Sequence, residues 1–215
     1  MTIKDVYKKF NIPPNLETHM LTVAQVVCGI KDHWKGSSIN WNFIIGAALL
    51  HDVGNIVKFN FDAHPEFLGK EEVNIEYWRK VKQEVITKYG SDDHMASGNM
   101  LKEINVSAEL HNLIQNKSFS NAVEVAEGND WYSKILLYAD MRVMPHGIAT
   151  LEERLSDVRN RMPQYTSRPD FESLLDAARG IEGEIAGNLD ALITSIEWGK
   201  VSDMDTELLN RTLSH

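Results

Sequence analysis

The chain has 215 residues, 43% of them hydrophobic and 25% charged, with a formal net charge of −9. That balance describes an ordinary globular protein long enough to bury a real core, and it argues against broad binding of nucleic acid, which needs a basic surface. It leaves room for a small phosphorylated ligand, because a bound cation reverses the local sign of charge. A single cysteine, Cys28, excludes an intrachain disulfide and reads as a buried small hydrophobe in an apolar run. No run reaches the length of a membrane span and the N-terminus lacks the apolar stretch of a signal peptide, so the expected location is the cytoplasm.

Helix signals follow one another along the chain. Pro13-Pro14-Asn15 supplies a stop and a start. From there Leu16, Met20, Val23, Val27 and Ile30 recur at three or four residues, which predicts a helix over 16–34. Gly36-Ser37-Ser38 breaks it. The next helix, over 40–51, is apolar all round and is therefore expected to be central and buried. Residues 58–65 read as a loop, and 66–89 as one long amphipathic helix ending at Gly90. Ser91-Asp92-Asp93 caps a helix running to 104, and a shorter one covers 106–115. The polar stretch 116–130 reads as a loop.

Helices then follow over 131–144, 147–162, 170–198 and 203–212. No segment alternates over a strand length. The expected fold is all-α: a compact helical bundle over 1–165 with a C-terminal helical extension over 166–215, which either covers a cleft or makes a homodimer contact. The five tryptophans, Trp34, Trp41, Trp78, Trp131 and Trp198, read as packing residues rather than base-stacking platforms.

The most informative string is Ala47-Ala48-Leu49-Leu50-His51-Asp52-Val53-Gly54. A His and an Asp side by side at the end of an apolar helix would cost several kcal/mol to bury unpartnered, and a divalent metal satisfies both. The dipeptide alone is weak, since chance supplies about half of one His-Asp pair at this composition. Its setting adds weight. His19 interrupts the first apolar stripe, and Asp140 ends the apolar run from Ile135. Three helices can so aim four ligands at one point, as metal sites of helical bundles do.

On these residues the sequence resembles the HD-domain superfamily of metal-dependent phosphohydrolases, over about 12–145. The family pattern is a His on an early helix, an adjacent His-Asp and a distant Asp. Its metal roles fall on His19, His51, Asp52 and Asp140. The resemblance implies a hydrolase acting on a nucleotide or other small phosphate ester, by attack of a metal-bound water on phosphorus. Asp52 or Asp140 would orient that water, Lys58 and Arg142 would contact phosphate, and Asn55 would hydrogen-bond the substrate.

Two departures from the family pattern matter. Asn55 stands where many members carry Lys or Glu, and it cannot exchange a proton. Some members hold a second metal with two further His residues. His94 resembles the first, but no His lies near 116–117 and His111 comes about a turn and a half early. The expectation is therefore one divalent ion (Mn, Fe, Co, Ni, Zn or Mg), with His94 and His111 as the residues for a second ion or the cleft wall. The alternatives are a two-metal phosphodiesterase on a cyclic or dinucleotide, and a non-catalytic module that binds metal or nucleotide. His64 is expected in a loop lining the cleft.

Overall fold

The computed structural model describes all residues except 64, 195, 197–201, 214 and 215. The expectations for His64 and for the packing role of Trp198 lie outside the described residues. The fold is all-α, with helices α1 (Ile3–Lys9), α2 (Pro14–His33), α3 (Trp41–Leu50), α4 (Ile75–Tyr89), α5 (Asp93–Glu103) and α6 (Ala108–Gln115). They are followed by α7 (Ala122–Glu127), α8 (Trp131–Met141), α9 (Leu151–Arg161), α10 (Pro163–Thr166), α11 (Phe171–Gly187) and α12 (Ser202–Asn210). Short 3-10 segments cover Asn55–Lys58, Pro65–Asn74 and Phe119–Asn121.

Local chemistry explains the boundaries. Pro14 opens α2, where a missing backbone N–H costs nothing. Its stripe of Leu16, Met20, Val23, Val27 and Ile30 is buried throughout. Asp92 accepts from the Met95 amide and starts α5. Asp130 takes the Tyr132 and Ser133 amides at the head of α8. Thr150 and Glu153 form a capping box on α9.

Several expectations are corrected. The long helix over 66–89 is broken: Pro65–Asn74 is 3-10 with a kink at Gly69, whose φ of 55° and ψ of −124° suit only glycine, and α-helix begins at Ile75. The expected loop over 116–130 contains a 3-10 turn and α7, because Phe119 and Ala122 are buried and α7 packs against α11. Two-residue strands β1 (Val143–Met144) and β2 (Gly147–Ile148) pair antiparallel around Pro145-His146, with Gly147 at φ 112°. Pairs so short leave no alternation to read. The helix expected to reach 198 ends at Gly187. Cys28 is partly exposed rather than buried.

The chain gathers into two units. The first comprises Met1–Leu21, Leu49–Gln115 and Ser202–His215, the second Thr22–Ala48 and Asn116–Val201. In the first, α12 packs on α1, and the amides of Ile3 and Leu213 donate to the carbonyls of Arg211 and Met1. There α5 packs on α4, α6 and the 3-10 turn Asn55–Lys58. In the second, α11 packs on α7, α8 and α9. The Lys35 amide donates to the Asn188 carbonyl and the Asp190 amide to that of His33, joining the ends of α2 and α11. Trp34 packs edge-to-face on Trp41 and Trp131, with centroids 5.9 and 4.9 Å away, so these three tryptophans serve packing.

Candidate metal centre

His51 and Asp52 sit in the turn that leaves α3. That helix buries Ile44, Ile45, Ala47, Ala48, Leu49 and Leu50 at 2% exposure or less, and each large aliphatic side chain contributes about 1.5–3 kcal/mol. The apolar helix thus drives its polar end into the interior. His51 is 1% exposed and Asp52 7%. The turn is closed by the Asn55 amide donating to the Asp52 carbonyl at 2.9 Å.

His19, on α2, meets this pair. Its Nε2 lies 3.2 Å from Nε2 of His51, and Oδ2 of Asp52 lies 3.7 Å from both nitrogens. A triangle with sides of 3.2, 3.7 and 3.7 Å has its centre about 2.05 Å from every corner, the bond length of a divalent transition ion to imidazole nitrogen or carboxylate oxygen. The donor set and its spacing therefore fit a metal. His19, His51 and Asp52 form a group that could hold a metal ion. Asp140, the fourth ligand expected from the sequence, lies near the end of α8 in the second unit. His94 and His111 belong to no such group among the described residues.

The remaining sequence-predicted residues are placed as follows. Asn55 opens the 3-10 turn that ends at Lys58. Lys58 is more than half exposed and its Nζ is 2.6 Å from Oδ2 of Asp93. His94 approaches the same oxygen at 3.9 Å. His111, expected from sequence at a second ion or the cleft wall, buries its Nε2 without a hydrogen-bond partner among the described residues. Gly98 leaves the room for it, since a Cβ there would lie 3.3 Å from that nitrogen. Arg142 is 5% exposed, with Nε donating to the Ala149 carbonyl and Nη1 to the Tyr138 hydroxyl.

Sequence reasoning missed a buried polar ladder on α8. Lys134, Tyr138 and Arg142, four residues apart, are 3%, 2% and 5% exposed. Lys134 pairs with Glu184 at 2.5 Å, and the Tyr138 hydroxyl donates to Glu182 at 2.9 Å. Burial pushes the Tyr138 phenol well up, against the opposing pull of Arg142. The signal was present as polar residues at i, i+4 and i+8 in an apolar run. A cavity of about 490 Å³ lies beside the ladder's end, walled by Arg142, Ile148, Leu151, Glu153, Glu182 and Ile193 among others.

Compared with known proteins, the chain matches no family model, no curated protein and no solved structure. No helix among the described residues is long and apolar enough to cross a membrane.

Proposed function

We propose that this chain is a metal-dependent phosphohydrolase of the HD-domain type, acting on a nucleotide or other small phosphate ester. One observation carries the reading: Nε2 of His19, Nε2 of His51 and Oδ2 of Asp52 surround a point at metal-bond distance from all three. Asp140, near the end of α8, is the fourth ligand on the sequence pattern. A divalent ion held there supplies Lewis acidity toward a phosphate oxygen and toward water near neutral pH.

The chain's own residues divide the other work. Lys58, on the turn that follows the ligand pair and with its ammonium open to solvent, is the cation for the substrate phosphate. It exchanges Asp93 for that phosphate when substrate arrives. Asn55, three residues beyond Asp52, offers a neutral hydrogen bond to the substrate. Arg142, with two of its nitrogens on Ala149 and Tyr138, anchors the end of α8 two residues past Asp140. The two-metal phosphodiesterase reading has less support, because His94 and His111 join no ligand group among the described residues.

The test is metal analysis of the purified chain, together with a screen of phosphomonoesters, phosphodiesters and nucleotides with Mn, Co, Ni, Mg or Fe added. One bound ion per chain and hydrolysis that Asp52→Ala abolishes are expected. Absence of bound metal, or full activity in Asp52→Ala, overturns the proposal.

A further inference from the structure

We propose that Tyr7 and Ser97 are positioning residues for the His51–Asp52 pair, an inference that rests on reading the pair as metal ligands. The pair lies beyond the last residue of α3, so no regular helix holds its backbone. The stretch is instead fastened on both sides by hydroxyls from distant parts of the chain. Two residues before His51, the Leu49 carbonyl accepts from the Tyr7 hydroxyl at 2.7 Å. Two residues after Asp52, the Gly54 amide donates to Oγ of Ser97 at 3.1 Å.

Both bonds are interior. Leu49 is fully buried, Tyr7 is 3% exposed and Ser97 4%, so no water competes for them and each bond defines a position rather than a preference. The Leu49 carbonyl belongs to the last turn of α3, where carbonyls have no helical partner, and Tyr7 of α1 supplies one. The Gly54 contact is tight: a Cβ on residue 54 would come 2.4 Å from the Ser97 backbone nitrogen. Gly54 has φ −93° and ψ −3°, a conformation open to any residue, so glycine serves here for the close approach of the turn to α5. The ligand pair is thereby held between α1 and α5, two elements that contribute no ligand. Groups that orient metal ligands in this way typically change affinity 10–100-fold when removed.

The experiment titrates the metal-free full chain with Co²⁺, reading affinity and the visible d–d absorption, which reports ligand number and geometry. The wild-type chain is expected to bind one equivalent. Tyr7→Phe and Ser97→Ala, each with wild-type far-UV circular dichroism, are expected to bind about tenfold or more weakly with an altered spectrum. Ser97→Thr, which keeps a hydroxyl, is expected to stay within about threefold of wild type. If the wild-type chain takes up no Co²⁺, the metal reading fails and this inference with it. If the wild type binds and the two folded variants match it in affinity and spectrum, or if Ser97→Thr is as weak as Ser97→Ala, the positioning role alone is overturned. Should Ser97→Ala not fold, Tyr7→Phe decides.

Discussion

His19 and His51 meet nitrogen to nitrogen, Nε2 to Nε2 at 3.2 Å, with ring planes tilted by 55°. An ion bound to both nitrogens would take the place of this direct contact and link α2 to the turn after α3. Metal should therefore stabilise the native chain. At a free concentration of about 100 times Kd the gain is about 2.7 kcal/mol, which for a chain of this size raises Tm by about 5–10 °C. Differential scanning calorimetry with and without EDTA checks it. His51→Ala, which deletes one corner of the triangle, should remove the metal-dependent part of the shift.

Gly54→Ala tests how closely the turn approaches α5. The added methyl would sit 2.4 Å from the Ser97 nitrogen and 2.6 Å from its Oγ, so the turn must move away from the helix. Forced overpacking of this kind costs about 1–3 kcal/mol. Urea unfolding should show that loss, and metal affinity should fall with it.

How far these features could be read from sequence follows from their physics. The apolar α3 ending in His51-Asp52, the stripe around His19 and the run leading to Asp140 were legible because a polar residue inside an apolar period is conspicuous. The cap at Asp92 was legible, being local, whereas Asp130 was read only as the end of a loop. Tyr7 and Ser97 were not, since their partners lie 42 and 43 residues away and neither residue type is unusual in a helix. The Gly69 break was hidden inside a charged stretch whose period continues on both sides. Helix α7 was hidden because it is only six residues long, with one buried, inside the polar stretch 116–130, and packing on α11 supplies what composition did not.

Lys134 and Glu184 allow a clean test of the ladder on α8. The lysine is 3% exposed while the Glu184 side chain is 43% exposed. Glu184→Ala leaves an ammonium buried without its partner, whereas Lys134→Met replaces it by an apolar chain of similar length. Breaking a fully buried pair costs about 3–5 kcal/mol. With one partner well solvated, about 1–2 kcal/mol is expected for Glu184→Ala. Lys134→Met should lie closer to wild type. Denaturant unfolding of both variants checks the order, and a larger loss for Lys134→Met would contradict it.

Glu103 gives the chain a defined acid sensitivity. Its carboxylate accepts from Tyr89 at 2.8 Å and pairs with Lys88 at 2.8 Å and Lys9 at 3.1 Å, tying α5 to α4 and α1. The hydrogen bond from Lys88, then those from Tyr89 and Lys9, pull its pKa from the ordinary 4.5 down to about 2. Because the folded value is depressed, the stabilisation is fully present above about pH 4.5 and is lost as the pH falls toward 2. Glu103→Gln should therefore be less stable than wild type at neutral pH, and the gap should close between pH 4.5 and 2. The cluster is close to solvent, so added salt should narrow the gap at neutral pH as well. Unfolding free energies of both chains measured across that range decide the matter, and a gap that stays constant down to pH 2 would show that Glu103 acts through packing rather than charge.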